Sequence, residues 1–339
     1  MQLQELEEMA QKMVAGNRGL LAADESTGTI EKRFKAIGIA STEESRRAYR
    51  NMLFTTPGLE KFISGVILYD ETIRQKTLSG VPFADYLTGL GIIPGIKVDK
   101  GAKPLANSPG EKITEGLDGL RERLQEYYKM GARFAKWRAV IDIKDNIPTA
   151  YCIQANAQAL ARYAALCQEA QIVPIVEPEV LMDGAHSIER CAAVTTTTLK
   201  TVFDELHTHR VALEGMILKP NMVISGMLCS QQASVEQVAR ATLHVLKEMV
   251  PAAVPGIMFL SGGQSAELAT AHLNAMNALG AHPWKLSFSY GRALQAPSLE
   301  AWKGLTDHLV AGQKAFIHRA ACNSSACAGT YTAKMEKAA

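Results

Sequence analysis

At Met216-Ile217-Leu218-Lys219-Pro220, an apolar run ends in a lysine and is stopped at once by a proline. The apolar residues predict a buried strand, so the chain places Lys219 at the point where that strand ends. The segments 92–97 and 134–138 repeat the pattern, with lysines at 97 and 136. A single lysine of this kind usually extends from a strand end into water. Three of them in one chain favour a functional edge where several strands end together.

Similar apolar, β-branched runs occur eight times, at residues 19–23, 62–69, 91–98, 132–140, 172–180, 213–219, 256–260 and 285–290. The intervals between them show helical periodicity, most clearly at 155–167, 196–206, 234–249 and 266–279. Eight alternations of strand and helix predict an α/β fold of the (β/α)₈ TIM barrel class. No linker rich in proline or serine divides the chain. We therefore expect residues 1–339 to form a single barrel domain with an N-terminal helix and a short C-terminal tail.

The composition excludes several classes of protein. A net charge of +2 gives no reason to expect nucleic acid or a membrane as partner. The six cysteines include no C-x-x-C pair, which indicates reduced thiols and a cytoplasmic location, although a mature organellar form would look the same. The N-terminus is acidic and amphipathic, unlike a secretory or transit signal. We expect no membrane span, because no apolar stretch has the necessary length.

Ionisable and polar side chains follow most of the predicted strands. Active sites of such barrels form at the carboxyl ends of the strands, so these side chains should meet in one place. Lysines and carboxylates together supply what Schiff-base chemistry needs: an amine, a proton shuttle and a base. For Glu177 a simple salt bridge with a lysine is an alternative that is compatible with this role. The residues at the strand ends are Asp24, Asp70, Lys97, Lys136, Arg138, Glu177, Glu179, Lys219, Ser261, Ser289 and Arg292.

Two glycine-containing segments follow the last two strands, at residues 261–265 and 289–292. Many barrels bind phosphate at this position through backbone N–H groups, a hydroxyl and a helix N-terminus. Ser-Gly-Gly alone is usually only a turn, but its place after the seventh strand favours phosphate binding. Arg33 and Arg46 follow the first strand and could bind a second phosphate, although either alone could belong to a solvated helix face.

Histidine and cysteine residues show no catalytic or metal-binding pattern. His207 and His209 lie two residues apart among polar neighbours, and the sequence contains neither H-E-x-x-H nor a Cys/His cluster. We therefore expect neither a metal nor a cofactor. Cys322 and Cys327 have no nearby histidine placed as in a catalytic triad, so we expect both to be structural.

Seven segments between about residues 20 and 331 together resemble the class I fructose-bisphosphate aldolases. The resemblance implies a (β/α)₈ barrel, a homotetramer, and metal-independent cleavage of a sugar bisphosphate, fructose 1,6-bisphosphate, to dihydroxyacetone phosphate and glyceraldehyde 3-phosphate in glycolysis. The segments are 20–28 (LLAADESTG), 95–100 (GIKVDK), 134–138 (FAKWR), 173–179 (VPIVEPE), 218–222 (LKPNM), 259–265 (FLSGGQS) and 288–295 (FSYGRALQ).

The resemblance also implies a role for each site residue. Lys219 corresponds to the Schiff-base nucleophile, Glu177 to its acid/base and Asp24 to the carboxylate at the substrate C4 hydroxyl. Lys136 corresponds to the neighbouring ammonium, with Glu179 beside it. For the phosphate nearer the ketone the implied residues are Ser261, Gly262, Gly263, Ser289, Gly291 and Arg292. For the other phosphate they are Thr29, Arg33, Arg46, Lys97 and Arg138.

The resemblance weakens at the C-terminus. Family members commonly end in a tail whose last residue is a tyrosine that assists proton exchange, whereas residues 334–339 here contain no aromatic. We expect cleavage to survive and protonation of the carbanion to be slower. Two other hypotheses stay open: a barrel that prefers another ketose phosphate, and a weakened barrel kept as a scaffold. The complete set of charged site residues argues against the scaffold, because buried charges are costly.

Overall fold

A computed structural model describes residues 3–337 of the chain. Eight parallel strands close into a barrel in the order β1-β10-β9-β8-β7-β6-β3-β2, and β4 and β5 form a separate antiparallel pair. The predicted (β/α)₈ barrel is thus confirmed. The strands are β1 Gly19–Ala22, β2 Ile63–Leu68, β3 Ile93–Lys97, β4 Ala102–Pro104, β5 Lys112–Thr114, β6 Phe134–Ile141, β7 Val173–Val180, β8 Ile217–Leu218, β9 Gly256–Phe259 and β10 Lys285–Tyr290.

Helices fill the intervals between the strands, and the four predicted helical segments all lie in helices. Within residues 3–337, none of these helices combines the length and the apolar character that crossing a bilayer requires. The α-helices are α1 Leu3–Val14, α2 Thr27–Ala36, α3 Glu43–Phe54, α4 Asp70–Ile73, α5 Phe83–Gly89, α6 Leu120–Lys129, α7 Ala150–Glu169, α8 Ile188–Thr208, α9 Val235–Met249, α10 Ala266–Ala278, α11 Arg292–Trp302 and α12 Leu309–Cys327. The 3₁₀ helices are Leu59–Lys61, Leu213–Gly215, Thr306–His308 and Ala333–Lys337.

The ends of the chain bear on two earlier predictions. The predictions concern the acidic N-terminal segment and the C-terminal segment 334–339. Parts of both segments lie outside the described residues, namely Met1, Gln2, Ala338 and Ala339. The assignment of residues 1–339 to a single domain stays a prediction.

The sixth barrel strand is shorter than the sequence predicts. Residues 213–215 form a 3₁₀ helix, and only Ile217–Leu218 pair as a strand. The side chain of Gln168 explains the difference, because its amide nitrogen donates to the carbonyl oxygens of Ala212 and Gly215 at 2.8 and 3.2 Å. These bonds satisfy backbone groups that a longer strand would pair with its neighbours. The prediction of a strand over 213–219 was therefore wrong in its first half.

The amino-terminal end of the barrel is closed by an apolar plug. Helix α1 contributes buried side chains, including Leu6 and Met13, to a cluster with inward-facing strand residues such as Ile67, Phe134 and Met258. The Phe134 ring packs against a glycine on each of two other strands, β2 and β3. Apolar filling at this end leaves the carboxyl ends of the strands as the place for polar side chains.

Gly95 on β3 is a position where this packing can be tested. A Cβ atom on Gly95 would lie 2.2 Å from the Phe134 ring, inside van der Waals contact. We expect Gly95→Ala to lower the free energy of unfolding by about 1–3 kcal/mol, because overpacking forces the ring or the strand to move. Urea unfolding followed by circular dichroism measures the change.

Gly89→Ala is the matched control, because a Cβ atom there has no neighbour within 4 Å. We expect its effect to stay within about 1 kcal/mol, on the stabilising side, at the end of an exposed helix. Equal destabilisation by the two substitutions would contradict the account of the Phe134 contact.

Candidate active site

A cleft of about 700 Å³ opens at the carboxyl ends of the barrel strands. A larger groove, of about 1070 Å³, runs beside α5 and the start of β3 and contains none of the predicted site residues. Asp70, which was predicted at the same edge of the barrel, begins α4 outside the cleft and pairs with Arg74 at 2.9 Å. The cleft brings together all the other predicted residues except Arg46. They are Asp24, Thr29, Arg33, Lys97, Lys136, Arg138, Glu177, Glu179, Lys219, Ser261, Gly262, Gly263, Ser289, Gly291 and Arg292.

Four charged side chains form a connected chain at the bottom of the cleft. The Nζ atom of Lys219 lies 3.2 Å from Oε1 of Glu177, and the Nζ atom of Lys136 lies 3.5 Å from Oε2 of the same carboxylate. Lys136 also contacts Oδ2 of Asp24 at 2.6 Å. All four residues are less than a tenth exposed. One carboxylate therefore joins two lysines, and a second carboxylate holds one of them from the other side.

Strand register explains why these side chains meet. On β6 Lys136 and Arg138 lie two residues apart and share a face, as Glu177 and Glu179 do on β7. The two strands pair in parallel with Arg138 opposite Glu177, so these two residues lie at one level, with Lys136 two residues before this level on β6 and Glu179 two residues beyond it on β7. Lys219 directly follows β8, and its backbone nitrogen donates to the carbonyl oxygen of Val176 at 2.8 Å. This bond fixes the strand end that carries the amine.

Electrostatics keep two of these groups ionised. Burial alone would raise the pKa of the Asp24 carboxyl, but the ammonium groups of Lys136 and Lys219 outweigh it and hold that pKa well below its ordinary value. Burial likewise acts to lower the pKa of Lys136, and the Asp24 and Glu177 carboxylates reverse this, so that its pKa is raised. Lys136 is therefore an ammonium and Asp24 a carboxylate at neutral pH.

The remaining charged residues of the predicted set pair along the edge of the cleft. The guanidinium of Arg138 donates to Glu179, whose pKa burial raises although Arg138 opposes the change. Lys97 contacts Asp99 at 2.7 Å. The sequence analysis did not select Asp99, although it stands two residues after Lys97, a spacing that could have identified it.

One end of the cleft is suited to bind an anion. The hydroxyl of Ser289 is buried and has no hydrogen-bond partner among residues 3–337. Gly291 and Arg292 lie beside it at the start of α11. Gly262 and Gly263 precede α10, and Gly263 has a φ of +72° and a Cβ position only 2.0 Å from Met182. Glycine is required there for both its backbone conformation and its lack of a side chain, and it leaves backbone groups open to a ligand.

The other end of the cleft has a different set of polar side chains. Thr29 projects from α2, and Lys97 ends β3. Arg33, which was predicted to act with them, instead has its Nη2 atom 3.8 Å from the Cβ position of Gly291, so it lies at the first end.

Arg46, which the sequence analysis grouped with Thr29 and Lys97, does not line the cleft. Its guanidinium makes two hydrogen bonds to Glu71, of 2.8 and 2.6 Å. The geometry therefore does not support a phosphate contact for Arg46, because the Glu71 carboxylate already accepts hydrogen bonds from two nitrogens of its guanidinium.

A buried network behind Asp24 was not identified from the sequence. Glu25 forms ion pairs with Arg33 and with Arg50, the latter at 2.8 Å. The amide of Gln295 donates to Glu25 at 2.8 Å and to the carbonyl oxygen of Ala22 at 2.7 Å. These bonds fix the turn between β1 and α2. The position of Glu25 next to Asp24 was the available signal, but its partners lie far away in the sequence.

The premise that no histidine lies near Cys322 was wrong, whereas the expectation that both cysteines are structural stays a prediction. The Sγ atom of Cys322 lies 3.7 Å from Nε2 of His318, one helical turn earlier on α12. Cys327, in contrast, contacts the hydroxyl of Ser287. Neither cysteine lines the cleft. The helical spacing of four residues between His318 and Cys322 was the signal that could have identified the pair.

The ion pair between Asp24 and Lys136 predicts how the stability of the protein depends on pH. Because the pKa of Asp24 is lowered in the folded protein, its charge contributes stability above about pH 4, and the contribution is lost as the pH falls further. We expect Asp24→Asn to lower the free energy of unfolding at pH 7 by about 3–5 kcal/mol, since Lys136 loses a buried partner. The difference from wild type should shrink between pH 5 and about pH 3. Urea unfolding at several pH values measures it.

Asp204→Asn is the control for that experiment. Asp204 contacts Lys200 at 2.6 Å, but both side chains are about two thirds exposed. We expect at most about 0.5 kcal/mol of change, because water and salt screen such a pair. A difference for Asp24→Asn that stays constant down to pH 3 would contradict the assigned ion pair.

Comparison with known proteins identifies the family. A probable fructose-bisphosphate aldolase class 1 of Xanthomonas axonopodis pv. citri is 59% identical over 332 residues, which is 98% of this chain and 99% of that protein. Fructose-bisphosphate aldolase 1 of Toxoplasma gondii is 55% identical, over 96% of this chain and 91% of that protein.

The structure of a Plasmodium falciparum fructose-bisphosphate aldolase, solved in complex with TRAP and a small-molecule inhibitor, superposes with a TM-score of 0.96. The two sequences are 51% identical, and the match covers 97% of this chain and 95% of that one. A family model described as fructose-bisphosphate aldolase class-I matches residues 5–339. The chain belongs to the class-I fructose-bisphosphate aldolase family.

Proposed function

We propose that this protein is a lyase that reversibly cleaves fructose 1,6-bisphosphate to dihydroxyacetone phosphate and glyceraldehyde 3-phosphate, a step of glycolysis. The observation that carries the proposal is the buried chain Lys219–Glu177–Lys136–Asp24. It supplies an amine, an acid/base and a carboxylate within one cleft. Membership of the family supports the choice of substrate.

The first stage is formation of the Schiff base. The neutral amine of Lys219 attacks the C2 carbonyl of the open-chain ketose and gives a carbinolamine. Glu177, 3.2 Å from this amine, accepts the proton that Lys219 gives up before the attack and transfers it to the departing hydroxyl, which leaves as water. The product is a protonated imine. Lys136 stays an ammonium beside Glu177.

The second stage is carbon–carbon cleavage. The Asp24 carboxylate accepts the proton of the C4 hydroxyl, the C3–C4 bond breaks, and glyceraldehyde 3-phosphate forms. The bonding electrons pass into the protonated imine and give an enamine. Protonation at C3 and hydrolysis then release dihydroxyacetone phosphate and restore Lys219. The imine itself is the electron sink, so this chemistry does not require a metal ion.

The two ends of the cleft fit the two phosphates. We assign the phosphate on C1, next to the ketone, to the end with Ser289, Gly262 and Arg292. We assign the C6 phosphate to the end with Thr29 and Lys97. The buried hydroxyl of Ser289 supports the first assignment, because a polar atom without a partner in the protein is available to a ligand.

A trapping experiment tests the nucleophile. Borohydride reduction in the presence of dihydroxyacetone phosphate should add one substrate mass to the wild-type chain, and peptide mapping should place it on Lys219. Lys219→Met should lose the adduct and the cleavage activity. Lys285→Met is the control, because Lys285 starts β10 at the opposite end of the barrel. An adduct that persists in Lys219→Met would overturn the proposal.

Steady-state kinetics with two substrates test the phosphate assignment. Ser289→Ala should raise KM by about 10-fold or more for both fructose 1,6-bisphosphate and fructose 1-phosphate, because a hydrogen bond to a charged group is lost. Lys97→Met should raise KM for the bisphosphate alone. Ser287→Ala is the control, since its hydroxyl donates to the backbone of Arg18 outside the cleft. Equal effects of Lys97→Met on both substrates would contradict the assignment.

We further propose a homotetramer in the cytoplasm. The homotetramer rests on the resemblance, and the cytoplasmic location rests on the cysteine pattern.

A further inference from the structure

A second cluster of chemically active side chains lies on α12, away from the catalytic cleft. His318 and Cys322 stand one helical turn apart and project from the same face. Glu336, in the last 3₁₀ helix of the described chain, reaches back to them. One ligand atom from each of the three lies within 4.8 Å of the other two. No part of the proposed reaction uses these residues.

Two of the three distances between ligand atoms match those around a tetrahedral metal ion, and the third, from Cys322 to Glu336, is within 4.8 Å. Nε2 of His318 lies 3.7 Å from Sγ of Cys322 and 3.7 Å from Oε2 of Glu336. Around zinc, with bonds of about 2.0 Å to nitrogen or oxygen and about 2.3 Å to sulfur, neighbouring ligand atoms are roughly 3.3–3.7 Å apart. An ion therefore fits between the three atoms with only small movements. A water molecule would complete the coordination.

Burial at the cluster allows an ion to enter and also restrains the ligands. Cys322 is 1% exposed, whereas the side chains of His318 and Glu336 are about one fifth exposed, which leaves a path from solvent. The hydroxyl of Tyr331 donates to Oε1 of Glu336 at 2.6 Å, and Arg319 donates to Oε2. Such outer contacts orient a ligating carboxylate.

The charge balance decides which kind of ion is suited to the cluster. Arg319 repels a cation, but a thiolate and a carboxylate together supply two negative charges. A divalent ion with affinity for sulfur and imidazole meets this requirement, whereas magnesium and calcium prefer oxygen ligands. Burial and Glu336 raise the pKa of Cys322 to about 11. Binding must therefore release a proton from this thiol, and the affinity should increase with pH.

We propose that His318, Cys322 and Glu336 bind one divalent ion of the zinc class and thereby fasten the C-terminal 3₁₀ helix to α12. The site is structural, because none of its residues lines the cleft. It was not predicted from the sequence, since its third ligand comes from a separate element. The ion would restrict the segment that directly precedes the end of the chain.

Cobalt binding to the full-length protein tests the proposal. Titration of the chelator-treated protein with Co²⁺ should produce a thiolate-to-cobalt charge-transfer band that saturates at one ion per chain and disappears when Zn²⁺ is added. Cys322→Ser should lose the band, and Cys327→Ser should keep it, because Cys327, at the end of the same helix, contacts Ser287 of β10 and belongs to no metal-binding group among residues 3–337. Circular dichroism and cleavage activity show that each variant is folded.

His318→Asn provides a second variant that leaves the thiol in place. It should also lose the one-to-one band, and the increase in Tm that Zn²⁺ gives to wild type and to Cys327→Ser should be absent from it. Cleavage activity should be the same with and without Zn²⁺. Absence of the band in wild type, or its persistence in Cys322→Ser or His318→Asn, would overturn the proposal.

Discussion

The Glu177 carboxylate, shared by two buried lysines, is the interaction on which the rest of the site depends. Lys136 and Lys219 approach its two oxygens, and Asp24 holds Lys136 from the opposite side. Four ionisable groups are tolerated away from water only because each has an oppositely charged neighbour. The same arrangement distinguishes the two amines: Lys136 contacts two carboxylates and stays an ammonium, whereas Lys219 contacts one, Glu177.

The barrel creates this arrangement through the register of its strands and the apolar packing of its interior. Helix α1 and Phe134 occupy the amino-terminal half of the interior, so polar side chains are confined to the carboxyl half. Parallel pairing of β6 with β7 then places Arg138 opposite Glu177. Lys219 follows a strand of only two paired residues. The backbone beyond it is held by Asn221, whose side chain accepts a hydrogen bond from the nitrogen of Val180.

The sequence predicted the parts that depend on local pattern. Apolar runs that end in a charged residue located Asp24 and Lys219 just after strand ends, because burial and chain direction together decide where such a side chain emerges. Lys136 instead lies within its strand, as the third residue of β6. The same reasoning overestimated the sixth strand. The amide of Gln168, which lies on α7, replaces pairing there, and no local pattern shows that a distant side chain will do so.

Pairings between distant segments were the main part that sequence could not supply. Arg46 resembled a phosphate ligand until Glu71 was seen to hold its guanidinium. Glu25 is buried because Arg50 and Gln295 meet it from other helices. The helical spacing of His318 and Cys322 is visible in the sequence, but the approach of Glu336 is a property of the folded chain.

The most direct test of the central claim is a crystal structure of the protein after borohydride reduction with fructose 1,6-bisphosphate. The account predicts continuous density from Nζ of Lys219 to C2 of the ketose, with Glu177 beside the new bond. It also predicts the C1 phosphate against Ser289 and the C6 phosphate near Lys97. Density joined to Lys136, or a ligand bound in the reverse direction, would contradict it.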